Sequence, residues 1–129
     1  MCGIAGASVS STDNTRRVLD SLFHRGPDRL SYYEDDDLTL LHSLLSTRGQ
    51  AADADQPVHT TCERWVFVYN GEIYNTKYLL KILNRKNLKD KSDTLLLSLI
   101  IQKFGLKFVE HIDGMFAIGL FDKKNKKLY

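Results

Sequence analysis

Apolar positions along the chain recur with two different periods, and the places where the period changes mark its elements. Cys2 to Val9 is small and apolar with two glycines, which predicts a buried strand. Ser11, Thr12 and Asp13 then offer capping oxygens ahead of Asn14 to His24, where Val18, Leu19, Leu22 and Phe23 form one apolar stripe at helical spacing. Gly26 and Pro27 end that helix. Two strands follow, Arg29 to Glu34 and Leu38 to Leu45, separated by the acidic turn Asp35-Asp36-Asp37. Gln50 to Gln56 is polar and loop-like, and Val66 to Tyr69 is a short β-branched and aromatic strand delivering Asn70-Gly71 at its end. Asn75 to Leu83 and Thr94 to Phe104 read as helices, Met115 to Phe121 as a buried strand, and Asp122 to Asn125 as a turn into Lys126 to Tyr129.

A chain of 129 residues, 43% apolar and 26% charged, fits one soluble domain with a core and not two. It has no apolar run near the ~20 residues of a membrane span and no leader-like opening, so a cytoplasmic protein with no membrane partner is expected. Charge is uneven. Residues 1–76 carry six arginines, no lysine and eleven acids (net −5), whereas residues 77–129 carry twelve bases and five acids (net +7). The basic half interleaves its lysines with apolar helix positions and lacks aromatic stacking residues, which reads as a solvated face and not as a nucleic-acid surface. Cys2 and Cys62 are too few for a disulfide framework. The four histidines lie far apart, none beside a cysteine at a zinc-finger interval, so no metal site is expected.

The chemistry begins at Cys2. Removing Met1 would make this thiol the N-terminal residue and place a nucleophile and a base together. An α-amine titrates near ~8 and a thiol near ~8.5, so the amine can take the thiol's proton as it attacks. Alone, such a cysteine reads more often as a small buried hydrophobe with no chemistry. It is followed in order by His24-Arg25-Gly26-Pro27-Asp28, Tyr69-Asn70-Gly71-Glu72-Ile73-Tyr74-Asn75, Ser92-Asp93-Thr94 and Asp113-Gly114-Met115-Phe116-Ala117.

With these segments in this order, the chain resembles, over essentially its whole length, the glutaminase domain of class II glutamine amidotransferases, most closely that of glutamine-hydrolysing asparagine synthetase. The resemblance implies an α+β N-terminal-nucleophile hydrolase fold, an αββα sandwich of two stacked antiparallel sheets between helical layers. It implies cleavage of the glutamine side-chain amide through a glutamyl thioester on Cys2. Asn70 and Gly71 would form the oxyanion hole, through the Asn70 amide and the Gly71 N–H; read bare, Asn-Gly is the commonest hairpin turn. Glu72 and Asp93 would bind the substrate's α-ammonium, as charge complementarity requires, although Asp93 also suits a helix cap. Arg25, with Gly26, would hold the N-terminal segment; its bland role is a surface ion pair.

Three departures from the family pattern stand out. Close relatives carry an arginine for the substrate carboxylate two residues after the histidine, where His42-Ser43-Leu44 has leucine, and Arg48 is the substitute candidate. Leu95 stands where glutamate continues the Ser-Asp-Thr motif. The relatives also continue past the position of Tyr129 with further strands and then a synthetase domain. Residues 1–129 are therefore expected to be a partial glutaminase domain, incomplete at its C-terminal end. The glutaminase step needs no cofactor; ATP and Mg are implied only for the absent synthetase domain or subunit that would accept the ammonia. Missing strands would leave an unpaired sheet edge, which invites a homo-oligomer. The competing reading is a catalytically inactive fragment or interaction module that keeps the fold.

Overall fold

The computed structural model describes residues 2–8, 12–36, 38–46, 55–86 and 92–129. Its elements run β1 (Gly3–Ala7), α1 (Thr12–Leu22), β2 (Arg29–Asp35), β3 (Leu38–Leu44), β4 (Val58–His59), β5 (Trp65–Ile73), α2 (Thr76–Ile82), α3 (Asp93–Phe104), β6 (Gly114–Asp122) and β7 (Lys127–Leu128). Short 3-10 turns follow α1 at Phe23–Arg25 and α3 at Gly105–Glu110. One antiparallel sheet has the order β1-β3-β2 and the other β4-β5-β6-β7. Helix α1 lies against the first sheet, and α3 packs on β5 of the second. The result is the predicted α+β arrangement of two stacked antiparallel sheets with helices outside.

Strand alternation builds both apolar layers from β5. Its odd positions, Trp65, Phe67, Tyr69 and Ile73, face α2 and α3, where they join Leu79, Leu96, Leu97, Ile100 and Ile101. Its even positions Val66 and Val68 face the other way, onto Leu38 and Leu40 of β3, Phe121 and the half-buried Ile4. Full burial of each such side chain contributes about 1.5–3 kcal/mol, so the pair of layers accounts for the closed sandwich.

Two expectations change. Phe23 was assigned to the apolar stripe of α1 but is 53% exposed; the helix tightens to 3-10 geometry at that residue and turns the ring off the stripe. Asn70-Gly71 does not end a strand. β5 continues to Ile73, with Asn70 opposite Ala117 and Gly71 opposite Phe116, because β6 is long enough to pair it throughout. That pairing also removes the hairpin-turn reading of the dipeptide.

Candidate functional site

Cys2 lies just ahead of β1, half-buried. Its Sγ meets the end of β3, 3.5 Å from the Leu45 backbone nitrogen and 3.9 Å from the Leu45 carbonyl. The next residue is tied down too: the Gly3 N–H donates to Ser43 Oγ at 3.1 Å, and that hydroxyl donates to the Leu22 carbonyl at 3.1 Å. Glycine is required at position 3, since a Cβ there would lie 2.6 Å from Ser43 Oγ and 3.1 Å from Arg25 Cβ. Arg25 thus packs beside the N-terminal segment, and among the described residues its guanidinium forms no ion pair.

The segment that receives the thiol is itself clamped by the Arg-Gly-Pro-Asp run. Asp28 donates its backbone N–H to the Leu44 carbonyl at 3.1 Å and accepts the Ser46 N–H on Oδ2 at 2.7 Å. Gly26 sits so close to β3 that a Cβ would come within 2.4 Å of the Leu44 carbonyl carbon. Gly26 therefore permits the approach and Asp28 locks it. Sequence reasoning named Arg25 and Gly26 but assigned nothing to Asp28 or Ser43. The signal for Asp28 was its place in the motif; Ser43 had none.

Cys2 and Asn70 belong to the same end of the sandwich. A Cβ on Gly6 would lie 3.6 Å from Leu128, which pairs with Phe121 opposite Val66, and Ile4 shares a cluster with Val68. Running back along β1 toward Cys2 therefore runs forward along β5 toward Asn70. By alternation Asn70 shares the face of Val66 and Val68, the side on which the first sheet packs.

Around Gly71 the hydrogen bonding is specific. The Tyr69 N–H donates to the side-chain oxygen of Gln56, and the Gln56 Nε2 donates to the Tyr69 carbonyl at 2.9 Å. The Ile73 N–H donates to Asp93 Oδ2 at 2.8 Å. Both groups point away from β6, and in an antiparallel strand alternate residues point the same way. Gly71, midway between them, therefore aims its N–H at the same edge, which no strand covers among the described residues. It occupies a narrow cross-strand pair: a Cβ would lie 2.3 Å from the Met115 carbonyl oxygen.

Glu72 is exposed and Asp93 half-buried at the first turn of α3, after Ser92. Burial first, and then the charges of Asp93 and Glu72, push the Tyr69 phenol upward, which places both carboxylates within electrostatic reach of it. Leu44, where an arginine was sought, is 3% exposed. Arg48 lies outside the described residues. Cys62 is exposed in a turn beside Thr60, and both cysteines are free thiols. Among the described residues no group of three acidic, histidine or cysteine side chains could hold a metal ion, and no helix is long and apolar enough to cross a membrane.

A buried histidine lies under this site. His42 is 1% exposed and pairs in register with Ile4 on one side and Ser31 on the other. Its Nε2 has no partner among the described residues. Burial drives its pKa down to about 4, against a weak upward pull from Asp55, so the ring is neutral at neutral pH.

Comparison with known families bears directly on this arrangement. A family model described as a glutamine amidotransferase domain matches residues 1–129. The chain belongs to that family. This glutamine amidotransferase domain is 34% identical over 131 residues to glutamine-hydrolyzing asparagine synthetase 1 of Arabidopsis thaliana, covering 97% of the chain and 22% of that protein. It is 34% identical over 131 residues to glutamine-hydrolyzing asparagine synthetase of Asparagus officinalis, with the same coverage. With glutamine-hydrolyzing asparagine synthetase 2 of Bacillus subtilis (strain 168) it shares 32% identity over 137 residues, 100% of the chain and 18% of that protein. The amidotransferase domain thus spans about a fifth of the length of these curated relatives.

Proposed function

We propose that this domain hydrolyses the side-chain amide of glutamine with Cys2 as nucleophile, once Met1 has been removed. The Cys2 Sγ attacks the amide carbon while the α-amine of the same residue takes the thiol proton. The tetrahedral oxygen is held by the Asn70 amide and the Gly71 N–H. The C–N bond then breaks, the α-ammonium returns its proton to the departing nitrogen, and ammonia leaves a glutamyl thioester. Water, deprotonated by the same amine, attacks that thioester and releases glutamate. Glu72 and Asp93 receive the substrate's α-ammonium, and Arg48 its carboxylate.

The observation that carries this reading is the aim of the Gly71 N–H. It points to an edge that no strand covers among the described residues, between two backbone groups that are each held by a side chain, at the end of the sandwich where Cys2 lies. The clamp of Asp28 on Leu44 and Ser46 supports it further, since it fixes the backbone that touches Sγ. No step in the sequence above calls for a cofactor. The ammonia acceptor is proposed to be a synthetase domain or subunit like those of the relatives, with ATP and Mg used there and not at Cys2.

The test is direct. Intact mass spectrometry establishes that Met1 is removed, and the full chain is incubated with glutamine and, separately, with an electrophilic glutamine analogue. Glutamate release and labelling at Cys2, both abolished in Cys2→Ala at unchanged melting temperature, are expected. Folded, processed protein that releases no glutamate and takes no label would overturn the proposal and leave an inactive module.

A further inference from the structure

Two residues flank Gly71 along the edge of β5 that faces away from β6, and one of them has no role in the reaction just described. Strand β4 pairs Val58 with Phe67 and His59 with Val66. Extending that register by two residues sets Gln56 opposite Tyr69. There the backbone ladder is replaced by a side chain: the Gln56 carboxamide accepts from the Tyr69 N–H and donates to the Tyr69 carbonyl, as a strand neighbour would. The backbone of Gln56 is anchored in turn, its carbonyl accepting the Ser31 hydroxyl from β2. The side chain is thus a strut between the first sheet and the one residue that precedes Asn70.

Among side chains that are neutral at neutral pH, the primary carboxamide is the one that offers a donor and an acceptor side by side in one plane. Gln56 is 6% exposed, so replacing it with an apolar residue would leave two buried backbone groups unpaired at Tyr69. Among the described residues, β5 would then have no hydrogen-bond anchor on the side away from β6 between its β4 pairing at Phe67 and the Asp93 bond at Ile73, the stretch that contains Asn70 and Gly71.

Resting on the amidotransferase reading above, we propose that Gln56 is a positioning residue for the oxyanion hole: its carboxamide, bridging the two sheets, fixes the direction of the Asn70 side chain and the Gly71 N–H. It touches neither substrate nor thiol. Because an oxyanion hole acts on the transition state and not on the bound substrate, its effect falls on kcat. Rotating the donors by a few tens of degrees costs rate while leaving glutamine binding intact.

The experiment uses the full processed chain with three side chains at position 56. Gln56→Leu keeps the bulk and removes both hydrogen bonds; a roughly 10- to 100-fold fall in kcat is expected, within the range for a lost or misaimed oxyanion donor, with KM for glutamine within about twofold. Alkylation of Cys2 by iodoacetamide, which builds no oxyanion, stays at the wild-type rate. Gln56→Glu supplies a signature that a merely structural role would not. Its carboxylate accepts from the Tyr69 N–H but faces the Tyr69 carbonyl, whereas its protonated form donates to that carbonyl and restores the bridge. The ratio of its kcat to that of the wild type should therefore rise about tenfold from pH 8 to pH 5.5. For Gln56→Leu the ratio stays flat, His42 remaining neutral over most of that range.

A wild type that hydrolyses glutamine beside a folded Gln56→Leu with unchanged kcat would overturn this inference and leave the amidotransferase reading standing. So would a flat ratio for Gln56→Glu, or a loss confined to KM. A folded, processed wild type with no glutaminase activity removes both.

Discussion

The two faces of β5 are built from alternate residues of one strand, yet they are filled differently. Under α2 and α3 the odd residues meet a continuous apolar cluster that includes Leu79, Leu97, Ile100 and Phe108, all 3% exposed or less. Between the sheets the even residues meet a smaller described cluster, Leu38, Leu40 and Phe121 with the partly buried Ile4 and Tyr33, beside a groove of about 460 Å³ lined by Ile4, Gly6, Val68, Gly119 and Leu128. The helical layer is where stability is stored. The layer between the sheets is thinner, holds the buried His42, and ends at Cys2 and Asn70. Under the proposed reaction, a site that admits an amino acid is packed less densely than the core that supports it.

Truncation should expose that difference most sharply. Leu97→Ala opens a void in the helical layer with nothing to fill it, and about 3–4 kcal/mol of stability should be lost in urea unfolding. Leu40→Ala instead enlarges a space that is already open, so the loss should approach the transfer term alone, about 2–3 kcal/mol. Equal losses at the two positions would mean that the layers are equivalent.

Acid should weaken the layer between the sheets next. His42 titrates at about 4 in the folded chain and near ~6.5 unfolded. The unfolded state therefore binds more protons in that interval, and stability, complete above pH 6.5, falls as pH drops toward 4. Between pH 7 and pH 4.5 the expected loss is about 2 kcal/mol, and His42→Phe should flatten that dependence. Persistence of the same slope in the variant would assign it elsewhere.

The smallest effect belongs at the far end of the second sheet. The Asp122 carboxylate, fully buried, accepts from Arg64 Nε at 3.0 Å and Nη2 at 2.6 Å, and from Lys124 and Asn125. The Arg64 hydrogen bonds, first among these contacts, hold its pKa down at about 2. Its contribution is present above the ordinary carboxylate range and lost only as pH falls through about 2, so it does not overlap the His42 window. Arg64→Ala also removes stacking on Trp65, at 4.5 Å, but the other donors remain, and only a small fall in melting temperature, below that of either leucine truncation, is expected by thermal unfolding.

Much of the architecture was legible along the chain because it depends on local periodicity. Strands β2 and β3 fall within a residue of their predicted ends, and α3 begins one residue before its expected start, since period-2 and period-3.6 patterns are properties of neighbouring residues. Phe23 was misplaced because a tightening of one helical turn leaves no mark on the apolar spacing. The length of β5 was underestimated for a different reason: Asn70, Gly71 and Glu72 are poor strand formers, and only pairing with β6 holds them extended.

From the residues alone came the family, through the order of its motifs, and with it Cys2, Asn70 and Gly71 as candidates. Tertiary structure decided which groups support them. Asp28 reaches Ser46 across 18 positions, Ser43 ties Gly3 across 40, and Gln56 meets Tyr69 across 13. Hydrogen bonds of that kind join residues distant along the chain, and no local pattern encodes them; they exist only once two sheets have closed on each other and brought one strand's backbone against another segment's side chain.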